Sequence, residues 1–224
     1  GRVMDRLLSG DVGFGKTEVA MNAMLAIILD GYQTLFVCPT TLLATQHFHS
    51  MQKRFEKYDI KMAKLDGKTS AKEKTHIKKG LESGEIQLVI GTHSLLSVQT
   101  HNLALVIIDE EHKFGVKQKE KLKNLRDDVH IFSMSATPIP RTLTMSLYGD
   151  MDCSVIDELP AGRTPITTRI IPASRRIEII DRLKAACVSG AQAYWVCTLI
   201  ESSEILAAQA AQDTARQLEK ALHP

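Results

Sequence analysis

The sequence predicts an α/β protein built on a parallel sheet, and three observations predict it. Short, continuously apolar runs such as TLFVCP and LALVII alternate with helical patterns, as strands buried on both faces do. A glycine-rich loop, GDVGFGKT at residues 10–17, stands between the first of these runs and a helix. Apolar residues make up 44% of the 224 positions and charged residues 24%, the balance of an ordinary globular chain.

In order, LLS (7–9) reads as the first strand, and KTEVAMNAMLAIILDG as a helix closing at Gly31. TLFVCP (34–39) is a buried strand, followed by the amphipathic helix TLLATQHFHSMQKRFEKY. KMAKLDG (61–67) is a third strand and KEKTHIKKGLESG the helix after it. QLVIGTH (87–93), LALVIIDEEH (103–112) and HIFSMSAT (130–137) are strands with polar ends. After Thr137 the texture changes. PIPRT and DELPAGRTP (157–165) are rich in proline, glycine and charge, which suits a linker. Beyond it, SRRIEIIDRLKAACVSG reads as a helix and AYWVCTL (193–199) as a buried strand. SSEILAAQAAQDTARQLEKALHP reads as a helix with a stripe of Ala207, Ala211, Ala215, Leu218 and Leu222, which Ser202 or Ser203 could cap. The expected organisation is a first domain at 1–156, a linker at 157–173, and the start of a second domain at 174–224. On this reading the chain looks cut at both ends.

The net charge of +2 does not by itself point to nucleic acid. KFGVKQKEKLKNLR (113–126) carries six basic side chains against one acid, and Lys53 to Lys79 is also predominantly basic. Taken by itself, each run reads more readily as a solvated helix face than as a nucleic-acid contact. Cys38, Cys153, Cys187 and Cys197 lack zinc-site spacing. Cys38 and Cys197 lie in apolar runs, so buried, reduced thiols are expected there. The longest apolar stretch, MLAIIL, is far too short to span a bilayer, and no signal peptide opens the chain, so a soluble, cytoplasmic protein with no membrane partner is expected.

Gly10, Asp11, Val12, Gly13, Phe14, Gly15, Lys16 and Thr17 satisfy G-x-x-x-x-G-K-[ST]. Glycines at these positions let successive backbone N–H groups curl around phosphate oxygens at a helix N-terminus. Lys16 would reach the β- and γ-phosphates, and the Thr17 hydroxyl would ligate Mg²⁺. Asp109-Glu110-Glu111-His112 ends a strand, where a phosphate-loop nucleotidase needs a carboxylate for Mg²⁺; Asp109 is placed for that, and Glu110 to orient or deprotonate water. Adjacent strand residues face opposite ways, so both serve one site only where the strand is ending. DEEH alone is equally what a solvated turn would show. With the loop it indicates ATP hydrolysis, and argues against a small-molecule kinase. Ser135, Ala136 and Thr137 end the next strand and could hydrogen-bond the DEEH turn. Pro39, Thr40 and Thr41, and Gly91, Thr92 and His93, sit just past strands, where hydroxyls and amides either cap helices or contact a sugar–phosphate backbone.

The ordered set GDVGFGKT, PTTLL, GTH, DEEH and SAT resembles motifs I, Ia, Ib, II and III of superfamily 2 helicases and translocases. DEEHKFGVKQKEKL and SATPIPRTLTMSLYGDMD resemble the branch shared by the RecG branch-migration helicase and the transcription–repair coupling factor Mfd, across essentially the whole chain. GDVGFGKTEVAM, with Phe14, looks more like the coupling factor. DMDCSVIDELPAGRTPITTRIIPASRR and AYWVCTLIESSE look more like RecG.

The resemblance implies a RecA-like nucleotidase domain followed by the beginning of a second. It implies ATP and Mg²⁺ as cofactors, with Lys16 and Thr17 on nucleotide and metal, Asp109 coordinating the metal and Glu110 as catalytic base. His112 and Ser135, Ala136 and Thr137 would couple hydrolysis to DNA. Pro39, Thr40, Thr41, Gly91, Thr92 and His93 would lie on the DNA-facing side. The implied partner is branched or double-stranded DNA, in repair and recombination, with RNA polymerase added for a coupling-factor-like parent. In such motors a second lobe supplies an arginine across the cleft. Arg216 is the only arginine after Trp195, so weak nucleotide binding and little turnover are expected of these residues alone. The alternatives are a superfamily 2 RNA helicase and a non-hydrolysing, nucleotide-dependent interaction module.

Overall fold

The computed structural model describes residues 3–110, 113–125, 128–136, 151–158, 160, 162, 166–197 and 204–222. The chain divides into two compact units, residues 1–163 and 164–224. In the first, seven strands form one sheet: β1 (Asp5–Gly10), β2 (Gln33–Val37), β3 (Met62–Leu65), β4 (Leu88–Gly91), β5 (Leu103–Asp109), β6 (His130–Ser135) and β7 (Asp152–Ile156). Their order is β3-β4-β2-β5-β6-β1-β7, and every pairing is parallel. All carboxyl ends therefore lie along one edge, where open parallel sheets bind ligands.

Among the described residues, the helices of this unit are α1 (Lys16–Leu29), α2 (Thr41–Arg54), α3 (Ala71–Glu82) and α4 (Val116–Leu125). Their connections explain the unbroken apolar strands. Leu88, Ile90, Leu105, Ile107, Phe132 and Met134 join Met24 of α1 and Met51 of α2 in one core cluster. Val89, Val106, Ile108 and Ile131, one residue out of phase, join Ile77 and Leu81 of α3 in the other. Leu95 and Leu96, in a 3-10 turn at His93–Ser97, complete that second face, and α4 packs on the turn. The central strands β2, β4, β5 and β6 thus bury both sets of side chains, and at about 25 cal/mol per Å² this burial is the main stabilising term.

Local chemistry fixes the element ends. α1 closes on Gly31 at φ 86°, the left-handed residue expected there. Thr40 caps α2 by accepting from the Leu43 N–H at 3.3 Å. Ser70 and Glu73 form a reciprocal capping box at the start of α3. At the amino edge of the sheet, buried Gln33 donates to the Leu81 and Ile86 carbonyls and accepts from His101 and Asn102 N–H groups. That amide is satisfied on both sides and pins β2 away from the functional edge.

Two expectations change. β7 lies in the stretch from which only a fading of pattern is expected. It pairs with β1 alone and is half-exposed, and Arg6 ties the pair together by donating to Ser154 Oγ at 2.7 Å. In the second unit the described part of AYWVCTL, residues 193–197, is not a buried strand. Residues 191–197 have no regular structure, with Tyr194 93% and Val196 83% exposed. Among the described residues this unit contains no strand to pair with, and an unpaired strand leaves its backbone groups without a ladder. Cys197 is accordingly exposed rather than buried.

The regular structure among the described residues of the second unit is helical, with α5 (Arg176–Val188) and α6 (Glu204–Leu222). Arg176 lies over the Trp195 ring at 4.9 Å. In α6 Leu218 and Leu222 are half-buried while Ala215 is exposed, and Ser202 and Ser203 lie outside the described residues.

Candidate functional site

The phosphate-loop sequence forms the connection it calls for. β1 ends at Gly10, the loop turns through Gly13 at φ 79° and Gly15 at φ 92°, and α1 starts at Lys16. Left-handed backbone at both positions is what glycine supplies at low cost. A Cβ on Gly15 would meet nothing within 4 Å, so the helix N-terminus opens on free space. Gly10 has the opposite reason for lacking a side chain: a Cβ there would lie 3.1 Å from the Ile156 carbonyl of β7. The N-cap, Gly15, has no side chain to satisfy the first N–H groups of α1. Lys16 Nζ donates to the Gly10 and Asp11 carbonyls at 2.7 and 2.9 Å, holding the ammonium inside the loop it closes. Asp11, Val12 and Gly13 are exposed, and Phe14 and Thr17 half-buried. An uncapped N-terminus, two left-handed glycines and an inward lysine fit a phosphate chain.

Asp109 ends β5, paired in register with Met134 of β6, which in turn pairs with Leu8 of β1. β5 is thus two strand spacings from the loop strand, roughly 9–10 Å. Asp109 follows Ile108, which faces α3, and so falls on the α1 and α2 side of the sheet, the side of the loop helix. It is largely buried, and its Oδ2 is 3.3 Å from His47 Nε2 of α2. Nearby Cys38 has its thiol pushed far up by burial and, secondarily, by the Asp109 charge. Among the described residues no group of three His, Cys, Asp or Glu side chains is arranged around a metal. Mg²⁺ does not need one, since it is usually held by one or two carboxylates with waters and substrate phosphates.

Glu110 resolves the alternation problem. Its φ is +55°, and it is the only non-glycine residue with positive φ among those described. Such a backbone is strained for this residue type and persists only where its surroundings hold it. The Glu110 N–H donates to the Met134 carbonyl at 2.9 Å and its carbonyl accepts from the Lys113 N–H at 2.9 Å. Its Oε1 accepts from the Ala136 N–H at 3.1 Å. The left-handed turn breaks the strand alternation directly after Asp109, and the expected link between the DEEH turn and the end of β6 is present. Ser135 is buried and Ala136 half-buried, while His112 and Thr137 lie outside the described residues.

The two remaining predicted segments leave the sheet side by side. The Cys38 N–H donates to the Gly91 carbonyl at 2.7 Å, which sets Pro39, Thr40 and Thr41 beside Gly91, Thr92 and His93. Thr40 and His93 are exposed, Pro39 and Thr41 half-buried, Gly91 and Thr92 buried. Gly91 has a packing reason of its own, because a Cβ there would lie 1.9 Å from the Leu65 carbonyl of β3. His47 is the site residue that the sequence does not reveal. It is 62 residues from Asp109, and no spacing rule links the two.

The comparisons agree with this architecture. The DEAD/DEAH box helicase family matches residues 2–146. The chain is 50% identical over 226 aligned residues to the ATP-dependent DNA helicase RecG of Escherichia coli O157:H7, covering 98% of this chain and 33% of RecG. It is 53% identical over 167 residues to the transcription-repair-coupling factor of Helicobacter pylori strain J99, covering 75% of this chain and 17% of that protein. A solved structure of RecG bound to a three-way DNA junction superposes with a TM-score of 0.76 at 40% identity, over 98% of this chain and 29% of that one. The chain therefore belongs to the DEAD/DEAH box helicase family and has its RecA-like fold. It spans about a third of the length of the RecG relatives it matches. No helix among the described residues is long and apolar enough to cross a membrane.

Proposed function

We propose that residues 1–156 are the first motor domain of an ATP-dependent DNA helicase or translocase. It would act on branched or double-stranded DNA in recombination and repair, in the cytoplasm. Residues 157–173 form the linker, and 174–224 begin the second motor domain. The observation that carries this reading is the Asp109–Glu110 corner. Two acids are turned onto the carboxyl edge that holds the phosphate loop, and one is tied to the end of β6. Likeness to RecG supports DNA as the partner, and likeness to the coupling factor supports an RNA polymerase contact in the intact protein.

In this reading Gly10–Thr17 hold the triphosphate, Lys16 meets its β- and γ-phosphates, and Thr17 and Asp109 hold Mg²⁺. When bound, Mg²⁺ neutralises charge developing on the phosphates. Glu110 orients the attacking water and accepts its proton. Its hydrogen bond to Ala136 gives Ser135, Ala136 and Thr137, with His112, a means to couple that step to DNA. The 39–41 and 91–93 segments contact the sugar–phosphate backbone. The 224 residues alone bind nucleotide weakly and turn it over little, since Arg216 pairs with Asp213 in mid-helix and is 72% exposed.

The test is ATP turnover by a protein of the relatives' full length carrying this segment, with forked duplex DNA, duplex RNA or neither. Stimulation by DNA alone is expected. Equal or greater stimulation by RNA would reassign it as an RNA helicase, and no turnover under any condition would leave a nucleotide-dependent interaction module.

A further inference from the structure

The contact between His47 and Asp109 joins two elements that the motif reading treats separately. His47 sits seven residues after Thr40, the α2 N-cap, so it lies nearly two turns along the same helix face. Its ring packs on Phe36 of β2 with centroids 4.8 Å apart, and Phe36 is fully buried. The imidazole is therefore backed by the sheet and half locked, with 16% of its side chain exposed. Nε2 meets Asp109 Oδ2 at 3.3 Å, while Oδ1 has no hydrogen-bond partner among the described residues. On its other flank α2 is held again: Lys64 of β3 donates to Thr45 Oγ1 at 3.0 Å and pairs with Asp66.

We infer that His47 is a positioning residue that fixes the Asp109 carboxylate for the metal and ties it to α2. This rests on the reading of Asp109 as the metal-coordinating acid. Engaging one carboxylate oxygen leaves the other for the cation and removes the rotational freedom the carboxylate would otherwise lose on binding. Hydrogen bonds of this kind to ligating carboxylates are typically worth about 10–100-fold in metal affinity. Because α2 starts at the segment proposed to face DNA, a shift of that helix against β5 would be felt at the carboxylate. This route is distinct from the one through Glu110 and Ala136.

The test is binding of a fluorescent ATP analogue to the 224-residue chain, titrated with Mg²⁺. His47→Met, of similar bulk without a donor, is expected to raise the half-saturating Mg²⁺ concentration by about tenfold or more, leaving metal-free nucleotide binding as it was. His47→Gln, which keeps an N–H of comparable reach, should recover most of the shift. An unchanged Mg²⁺ midpoint in His47→Met overturns the inference. So does an equal loss with and without Mg²⁺, or a failure of His47→Gln to differ from His47→Met, since either marks a merely structural side chain. Asp109→Asn is measured alongside. If it leaves the Mg²⁺ dependence intact, the reading of Asp109 itself has failed. If it shifts the midpoint and His47→Met does not, only the inference has.

Discussion

The Ala136 backbone N–H donates to Glu110 Oε1 at 3.1 Å, joining the acid proposed as the base to the end of the neighbouring strand. Glu110 is also held through its own N–H and carbonyl, so its strained φ of +55° is fixed from three directions. Glu110→Gln keeps an oxygen able to accept from Ala136 and removes the base. In a protein of full length, turnover should fall by about 10²–10⁴-fold while nucleotide binding persists. Single-turnover hydrolysis and equilibrium binding, measured together, check both halves.

Gly91→Ala places a methyl group 1.9 Å from the Leu65 backbone oxygen, so β3 and β4 must separate locally. Overpacking against backbone has no rotamer to relieve it, and a loss of about 3 kcal/mol or more is expected. Gly67→Ala is the control. A Cβ there meets nothing within 4 Å, and surface changes of this kind stay within about 0.5 kcal/mol. Urea unfolding of both variants makes the comparison.

Much of this architecture is legible in the sequence. The runs that became β2, β4, β5 and β6 are apolar at most consecutive residues because helices cover both faces, and that pattern needs no partner to be read. The phosphate loop is legible because its chemistry lies in eight consecutive residues. β7 is not, because an edge strand pairing only with β1 needs no apolar face, and Asp152 and Ser154 are paid for by Arg6 from afar. AYWVCTL fails in the other direction: an apolar run reads as a strand whether or not another strand is there to pair with it. His47 and Gln33 are invisible for a third reason. Their roles are set by groups dozens of residues away, which only the folded chain brings near.

The cysteines separate cleanly. Burial, and then the Asp109 charge, hold the Cys38 thiol far above its ordinary range, whereas Cys187 and Cys197 are exposed. Iodoacetamide labelling followed by mass spectrometry should modify Cys187 and Cys197 rapidly and Cys38 only as the domain unfolds. Early labelling of Cys38 would place it at the surface.

Acid should destabilise the first domain partly through Asp66. Burial pushes its carboxyl up, but hydrogen bonds from Lys64, the Lys68 N–H and Thr69, with the Lys64 charge, hold it below the usual carboxylate range. A depressed folded pKa contributes stability above the unfolded value of about 3.9, lost as pH falls through the folded one. In that window the unfolded chain binds more protons. Asp66→Asn should therefore be less stable at neutral pH and lose less further stability on acidification. Urea unfolding from neutral pH down through that window checks the slope.

The central claim is that residues 10–17 hold the phosphates of ATP, and calorimetric or fluorescence binding of MgATP to this chain with Lys16 intact or changed to alanine tests it most directly. A charged hydrogen bond of this kind is worth about 1.5–3 kcal/mol, so Lys16→Ala should weaken binding by at least about tenfold with the circular dichroism spectrum unchanged. Equal MgATP affinity in the two proteins, or no binding by the unaltered chain, would contradict it.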